Sequence, residues 1–436
     1  MPVSAASGTV PHVVIVGGGF GGIAAARALG RAQVRVTLID RSNHHVFQPL
    51  LYQVATASLA PSDIASPIRE ALAGQRNTSV EMREVTGVDP DGHRIFFIAL
   101  DGTRQSLGYD YLVLATGVEQ SYFGHDEYAR FAPGLKSLGD ATVIRARLLE
   151  VLEVAELEPD PSRHRDLLTF VLVGAGPTGV EMAGAIAEMM RGTLRSDFRR
   201  IDPSTARIVL VEGAPRILMS FAESLAQRAH ERLTRAGVEI RTGVRVERVD
   251  ADGVIVAGQR IPSRCVLWTA GVTPSPAGRW LGTETDHAGR VRVRPDMSVP
   301  GRPEVFVVGD TAYLEHGGRP LPGVAQVALQ QGRYAARVIA SRVAGMASPP
   351  PFSYFDKGNM AVIGRGFAIL ESGRVKLSGF VAWLAWAGIH LAFLPAAGNR
   401  LLVLTQWAWS YATRQQQARL ILRPGAAGPK PPPAAS

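Results

Sequence analysis

The chain has 436 residues, 46% apolar and 19% charged, enough for two or three compact units with sizeable cores and too apolar for a wholly disordered protein. Its 47 Lys and Arg against 38 Asp and Glu give a net charge of +9, which suits anionic partners of any kind: nucleotides, nucleic acid or acidic lipid. A single cysteine, Cys265, excludes an internal disulfide, a redox-active cysteine pair and a four-cysteine metal site within one chain, and no metal site is expected.

The first ten residues lack a basic stretch leading into an apolar run, so they do not read as a secretory signal. HVVIVGGGFGGIAAARAL then runs from β-favouring residues through glycines into an Ala-rich helical pattern, and VRVTLID follows as a second strand. Gly17, Gly19 and Gly22 make GxGxxG between strand and helix: the first turns the chain, the second admits a pyrophosphate, and the third lets helix and strand pack closely. Asp40, closing the second strand, is placed to accept hydrogen bonds from a ribose. YDYLVLATGVE is a further buried strand ending in small residues.

The same order recurs in LTFVLVGAGPTGVEMAGAIAEMM, with Gly174, Gly176 and Gly179, and in ARIVLVEGAPRIL, where Glu212 closes the strand. An acid there favours the free 2′-hydroxyl of NADH over the phosphate of NADPH, although Arg216 stands near it, and a plain solvated strand-end acid is the alternative. RGTLRSDFRRIDPSTA lengthens the spacing to Glu212 as an insertion or helix extension. RCVLWTAGVTP repeats the earlier strand-and-turn pattern, with Cys265 in its buried part as a core residue. VFVVGDTAY and the helical PGVAQVALQQGRYAARVIASRV follow, and SPPPFS marks a boundary near residue 350.

Two dinucleotide sites in one chain imply two cofactors, used most economically by passing hydride from a nicotinamide to a flavin. The expected class is α/β: two Rossmann-type dinucleotide-binding domains plus C-terminal membrane-anchoring helices. The expected boundaries are an FAD domain at 10–125 and 285–350, an NADH domain at 126–284, a quinone-site and anchor region at 351–423, and a disordered tail at 424–436.

GGGFGG at 17–22, LATG at 114–117 and VGDTA at 308–312 are general flavoprotein features, while QPLLYQVATASL at 48–59, AQVALQQG at 325–332 and KGNMAVIG at 357–364 are more specific. Together they resemble the type II, non-proton-pumping NADH:quinone oxidoreductases, over residues 12 to 423. That resemblance implies FAD on the first unit, held by Gly17, Gly19, Gly22, Asp40, Arg41, Thr116, Gly117, Gly309, Asp310 and Ala325, with Pro49 and Leu50 near its ring. It implies NADH on the second unit. Gln326 and Gln330 would then share a helix face toward the flavin and quinone, Lys357 would stand near the quinone, and Glu181 would face the nicotinamide. Local chemistry offers plainer readings as well: a helix cap for Asp310, core packing for Pro49 and Leu50, solvated side chains for the glutamines and Lys357, and a helix-N-terminal acid for Glu181.

Residues 372–436 hold no Asp or Glu, seven Lys plus Arg, and four of the six tryptophans. The uncharged 17-residue stretch 378–394 and the Trp- and Arg-bearing 399–423 read as two interfacial helices on an anionic bilayer surface, through 378–423. A single span and a helical dimer interface are the alternatives. Nucleic acid is not an expected partner, because the basic residues interleave with an apolar tail. The expected protein is a homodimer, peripheral on the cytoplasmic side of the cell membrane. Two rivals remain: a reductase of a soluble protein acceptor, and a flavin redox sensor.

Overall fold

The computed structural model describes residues 10–395, 397–413, 415 and 418–421. The expected disordered tail, Arg414 and Arg423 of the expected anchor, and residues 1–9 lie outside the described residues. The chain forms two compact units: one of residues up to 46, 65–121 and 272–357, the other of 47–64, 122–271 and those from 358 onward.

In the first unit a six-stranded sheet runs Ser298–Val299, Arg302–Val307, Tyr111–Leu114, His12–Val16, Arg35–Asp40, Thr78–Met82, parallel except at the Ser298 edge. His12–Val16 is buried along its whole length, as a central parallel strand covered on both faces must be. Helix Phe20–Leu29 leaves it directly and packs on helix Ala325–Val343. Small residues permit the close crossing: a β-carbon on Gly332 would come within 2.1 Å of the Gly21 carbonyl oxygen.

The second unit carries an all-parallel four-stranded sheet, Val238–Arg241, Arg207–Val211, Thr169–Val173 and Cys265–Trp268. Each unit also inserts a three-stranded antiparallel meander: Glu84–Asp89, Arg94–Ile98, Arg104–Gly108 in the first, and Val246–Asp250, Gly253–Val256, Gln259–Pro262 in the second. The duplication read from the glycine motifs therefore extends to four parallel strands and a meander in each unit, while Arg302–Val307 and Ser298–Val299 are additions to the first sheet. The stretch after helix Pro177–Glu188 continues as one π-helical turn, Met189–Thr193, before the chain leaves the helix axis.

A third antiparallel sheet, Asn359–Val362, Ala368–Ser372, Val375–Gly379, leads into helix Phe380–Phe393, and helix Ala397–Thr413 follows. At 14 residues the first of these is roughly 21 Å long, short of a ~30 Å hydrocarbon core. No described helix is long and apolar enough to cross a membrane.

Candidate functional site

The two glycine turns have the same geometry. Gly17 and Gly174 hold φ of 105° and 100°, left-handed values that a side chain would strain. Gly19 and Gly176 have nothing within 4 Å of a built β-carbon, leaving their backbone open to a ligand. Gly22 and Gly179 are closed: a β-carbon would meet the carbonyl oxygen of Gly17 at 1.8 Å and of Gly174 at 1.9 Å. Gly19 and Gly176 also stand as N-caps with no side chain to satisfy the first helical N–H groups, which leaves those donors to an anion.

The acids match as well. Asp40 accepts the N–H of Gly18 at 2.6 Å and of Ser42 at 2.6 Å; Glu212 accepts the N–H of Ala175 at 2.6 Å and of Ala214 at 2.8 Å. Each carboxylate is thus fixed by its own turn and keeps about two of its four lone-pair sites for other donors. Arg41 is exposed and pairs with Glu119 at 3.4 Å. Arg216 donates to the carbonyls of Ile217, Leu218, Met219 and Phe221, so its guanidinium is engaged in its own loop.

His45, which the sequence does not mark, braces the first turn from behind. Its Nδ1 lies 3.0 Å from the Gly18 carbonyl oxygen, its ring stands edge-on to Phe20 at 5.0 Å, and burial pushes its pKa down to about 4. The ring is therefore neutral, and an N–H at Nδ1 donates to that carbonyl.

Thr116 Oγ1 lies 2.5 Å from Ser275 Oγ, while Thr311 donates to the Gly117 carbonyl at 2.9 Å. Asp310 is the middle residue of a single 3-10 turn, Gly309–Thr311; the long helix starts later, at Ala325 behind Val324, so Asp310 does not cap it. The turn is held by a residue missed at the sequence level: buried Gln331 accepts the Gly309 N–H at 2.7 Å. Gln326 and Gln330 do share a helix face. Gln330 both donates to the Phe355 carbonyl (2.9 Å) and accepts its N–H (3.0 Å), and Gln326 accepts the Lys357 N–H at 3.3 Å. The pair thus pins the extended segment that carries Lys357 to the helix.

In the second unit, Pro49 and Leu50 form a 3-10 turn, Gln48–Leu50, with Leu50 fully buried. Glu181 and Glu188 lie two turns apart on helix Pro177–Glu188, and both meet the segment 362–365. Glu181 accepts the Val362 N–H at 3.3 Å, and desolvation pushes its pKa up to about 8. Glu188 accepts the Arg365 N–H, and its pKa too is raised by desolvation. A hydrogen-bond chain approaches from the tail helices: Trp407 Nε1 donates to Gln53 Oε1 at 2.8 Å, and Gln53 Nε2 donates to Tyr52 Oη at 2.8 Å. Cys265 is fully buried with its thiol pushed up to about 12, the state of a core residue.

Two nucleotide-type units with matched glycine turns and matched acids define a two-dinucleotide oxidoreductase fold. Residues 11–332 match the family described as pyridine nucleotide-disulphide oxidoreductase. Over 418 residues the chain is 47% identical to a type II NADH:quinone oxidoreductase, Ndh, of Mycobacterium tuberculosis, covering 93% of this chain and 89% of that one. The chain belongs to the pyridine nucleotide-disulphide oxidoreductase family and, within it, to the type II NADH:quinone oxidoreductases. More distantly it is 28% identical to an internal alternative NAD(P)H-ubiquinone oxidoreductase of Arabidopsis thaliana, over 95% of this chain and 86% of that protein. The fold matches that of NDH2 from Plasmodium falciparum in complex with NADH, with a TM-score of 0.85, 18% identity, and coverage of 95% of this chain and 100% of that one.

Proposed function

We propose that the chain carries FAD on the first glycine turn, takes NADH on the second, and catalyses NADH + H⁺ + quinone → NAD⁺ + quinol without pumping protons. The observation that carries this reading is the duplicated turn, each copy with an open second glycine and a backbone-fixed acid. FAD bound there supplies the redox chemistry, accepting hydride from NADH and passing two electrons to quinone. The protein binds, orients and holds protons. The open glycines and free helix N–H groups receive the pyrophosphates, and Asp40 and Glu212 take the riboses. Arg41, Thr116, Gly117, Gly309, Asp310 and Ala325 complete the flavin cradle, with Gln331 fixing the Gly309 N–H. Glu181, with its pKa near 8, carries a proton at neutral pH on the helix that follows the NADH turn. Gln326, Gln330 and Lys357 serve the quinone: Lys357 balances negative charge on the acceptor, and the glutamines hold its segment in place.

The tail helices attach the enzyme to an anionic bilayer surface on the cytoplasmic side. Supporting this, Trp386 and Val403 point inward while Phe380, Val381, Leu384, Leu401, Leu402 and Trp409 are at least half exposed, an apolar face with no acid nearby in the sequence. Homodimerisation would cover part of that face, and sedimentation in detergent measures it.

Anaerobic stopped-flow absorbance at the flavin band tests the reaction. Bleaching by NADH followed by recovery on a short-chain quinone is expected. Bleaching without recovery would move the acceptor to a soluble protein or leave a sensor, and no bleaching would overturn the NADH assignment.

A further inference from the structure

The turn that fixes Glu212 is laced to the loop after the outer strand Val238–Arg241. Glu212 N–H donates to the Arg241 carbonyl at 2.8 Å, Gly243 N–H to the Ala214 carbonyl at 2.8 Å, and Val244 N–H to the Glu212 carbonyl at 3.2 Å. The next residue, Arg245, lays its side chain against Gly213: a β-carbon there would meet Arg245 Cγ at 3.3 Å and Nε at 3.8 Å. Gly213 is therefore a floor for the arginine stem, and a side chain there would press on it. Arg245 is exposed and makes no hydrogen bond or ion pair with the described residues, unlike Arg248, which pairs with Asp250, or Arg216, whose guanidinium is engaged by four carbonyls. One uncommitted cation thus stands on the turn that carries Glu212, at the ends of the edge strand Val238–Arg241 and its neighbour Arg207–Val211.

We infer that Arg245, not Arg216, is the second determinant of dinucleotide choice: it lies over the adenosine end of the bound dinucleotide and attracts a 2′-phosphate that Glu212 repels. The inference rests on the second glycine turn being the NADH site. Glu212 accepts hydrogen bonds from the 2′-hydroxyl and opposes a 2′-phosphate by like charge, so NADH is preferred. Arg245 moderates that preference, because a guanidinium can pair with phosphate through two N–H groups and also cover the adenine face. The two side chains oppose each other across one ribose position, so their effects on the NAD⁺:NADP⁺ ratio have opposite sign.

The test is equilibrium binding of NAD⁺ and NADP⁺ to the flavin-loaded full chain by calorimetry, alongside steady-state kinetics with NADH and NADPH. The forms compared are wild type, Arg245→Ala, Glu212→Ser and the double variant. Glu212→Ser should narrow the preference for NAD⁺ over NADP⁺. Arg245→Ala should widen it by about tenfold, the scale of one charge-assisted phosphate contact. In the double variant most of the gain in NADP⁺ affinity from Glu212→Ser should vanish. Arg245→Lys, which keeps charge and loses the planar fork, should fall between wild type and Arg245→Ala. An unchanged ratio in Arg245→Ala, or a double variant that binds NADP⁺ as well as Glu212→Ser does, would overturn the inference. Loss of all dinucleotide binding in Gly176→Val with no effect of any Arg245 or Glu212 change would also count against it. Failure of wild type to bind NAD⁺ at all would instead overturn the NADH assignment beneath it.

Discussion

Glu181 and His45 are both held uncharged by burial, yet they act on opposite sides of the pH scale. Glu181 has its pKa raised from 4.5 to about 8, so its folded form keeps a proton that the unfolded chain would release. Its contribution is therefore favourable at low pH and lost as pH rises from 4.5 through 8. Glu181→Gln should flatten that decline, giving a melting temperature a few degrees above wild type at pH 9 and little change at pH 5, as measured by thermal unfolding across pH. His45 is lowered from 6.5 to about 4, so its contribution is complete above pH 6.5 and lost as pH falls toward 4. His45→Asn should reduce the acid sensitivity of flavin retention in that window, read by flavin released on gel filtration. Gln331→Leu leaves the buried Gly309 N–H without its acceptor and should cost about 1–3 kcal/mol in urea unfolding, with weaker flavin retention. The glycine triplets and their acids are legible in sequence because each glycine answers a steric demand that nothing else meets. His45 and Gln331 are not, because a lone histidine and a helical glutamine carry no sign of the backbone atom they will serve. Spacing put Gln326 and Gln330 on one face, but their partners are backbone groups of 355–357, which have no sequence signature.

Among the elements, helix Leu138–Leu157 shows how a local motif defines a boundary. Ser137 accepts the Asp140 N–H at 3.1 Å, and Asp140 accepts the Ser137 N–H at 2.8 Å, a reciprocal cap. Ser137→Ala should destabilise the protein by about 1 kcal/mol in denaturant melts without changing the flavin spectrum. The crossing of the two first-unit helices tolerates less, since any side chain at Gly332 meets the backbone of Gly21, which lies between Gly19 and Gly22 of the first glycine motif. Helices and parallel strands were readable from periodicity. The 3-10 turn at Asp310 and the grouping of 47–64 with the second unit were not, because both depend on contacts far along the chain.

For the molecule as a whole, exposed apolar side chains and an absence of acids coincide in the tail. The tail has no acid over 372–436, and its two helices keep Trp386 at 2% exposure while leaving Leu401 at 65%. Replacing Leu384 and Leu401 by Gln should preserve flavin bleaching by NADH yet sharply reduce flotation with anionic liposomes; undiminished flotation would place the attachment elsewhere. The chain passes between its two units after residues 46, 64, 121, 271 and 357, so neither unit is one continuous stretch. That route sets an order of birth on the ribosome. The second unit's parallel sheet, from 169 to 268, can close while the first still lacks Arg302–Val307, Gly309 and the helix that braces it. On the proposed assignment flavin loading is a late event of synthesis, and a nascent chain stalled after the second sheet is complete but before about residue 340 would emerge with one nucleotide cradle finished and the other open along its edge.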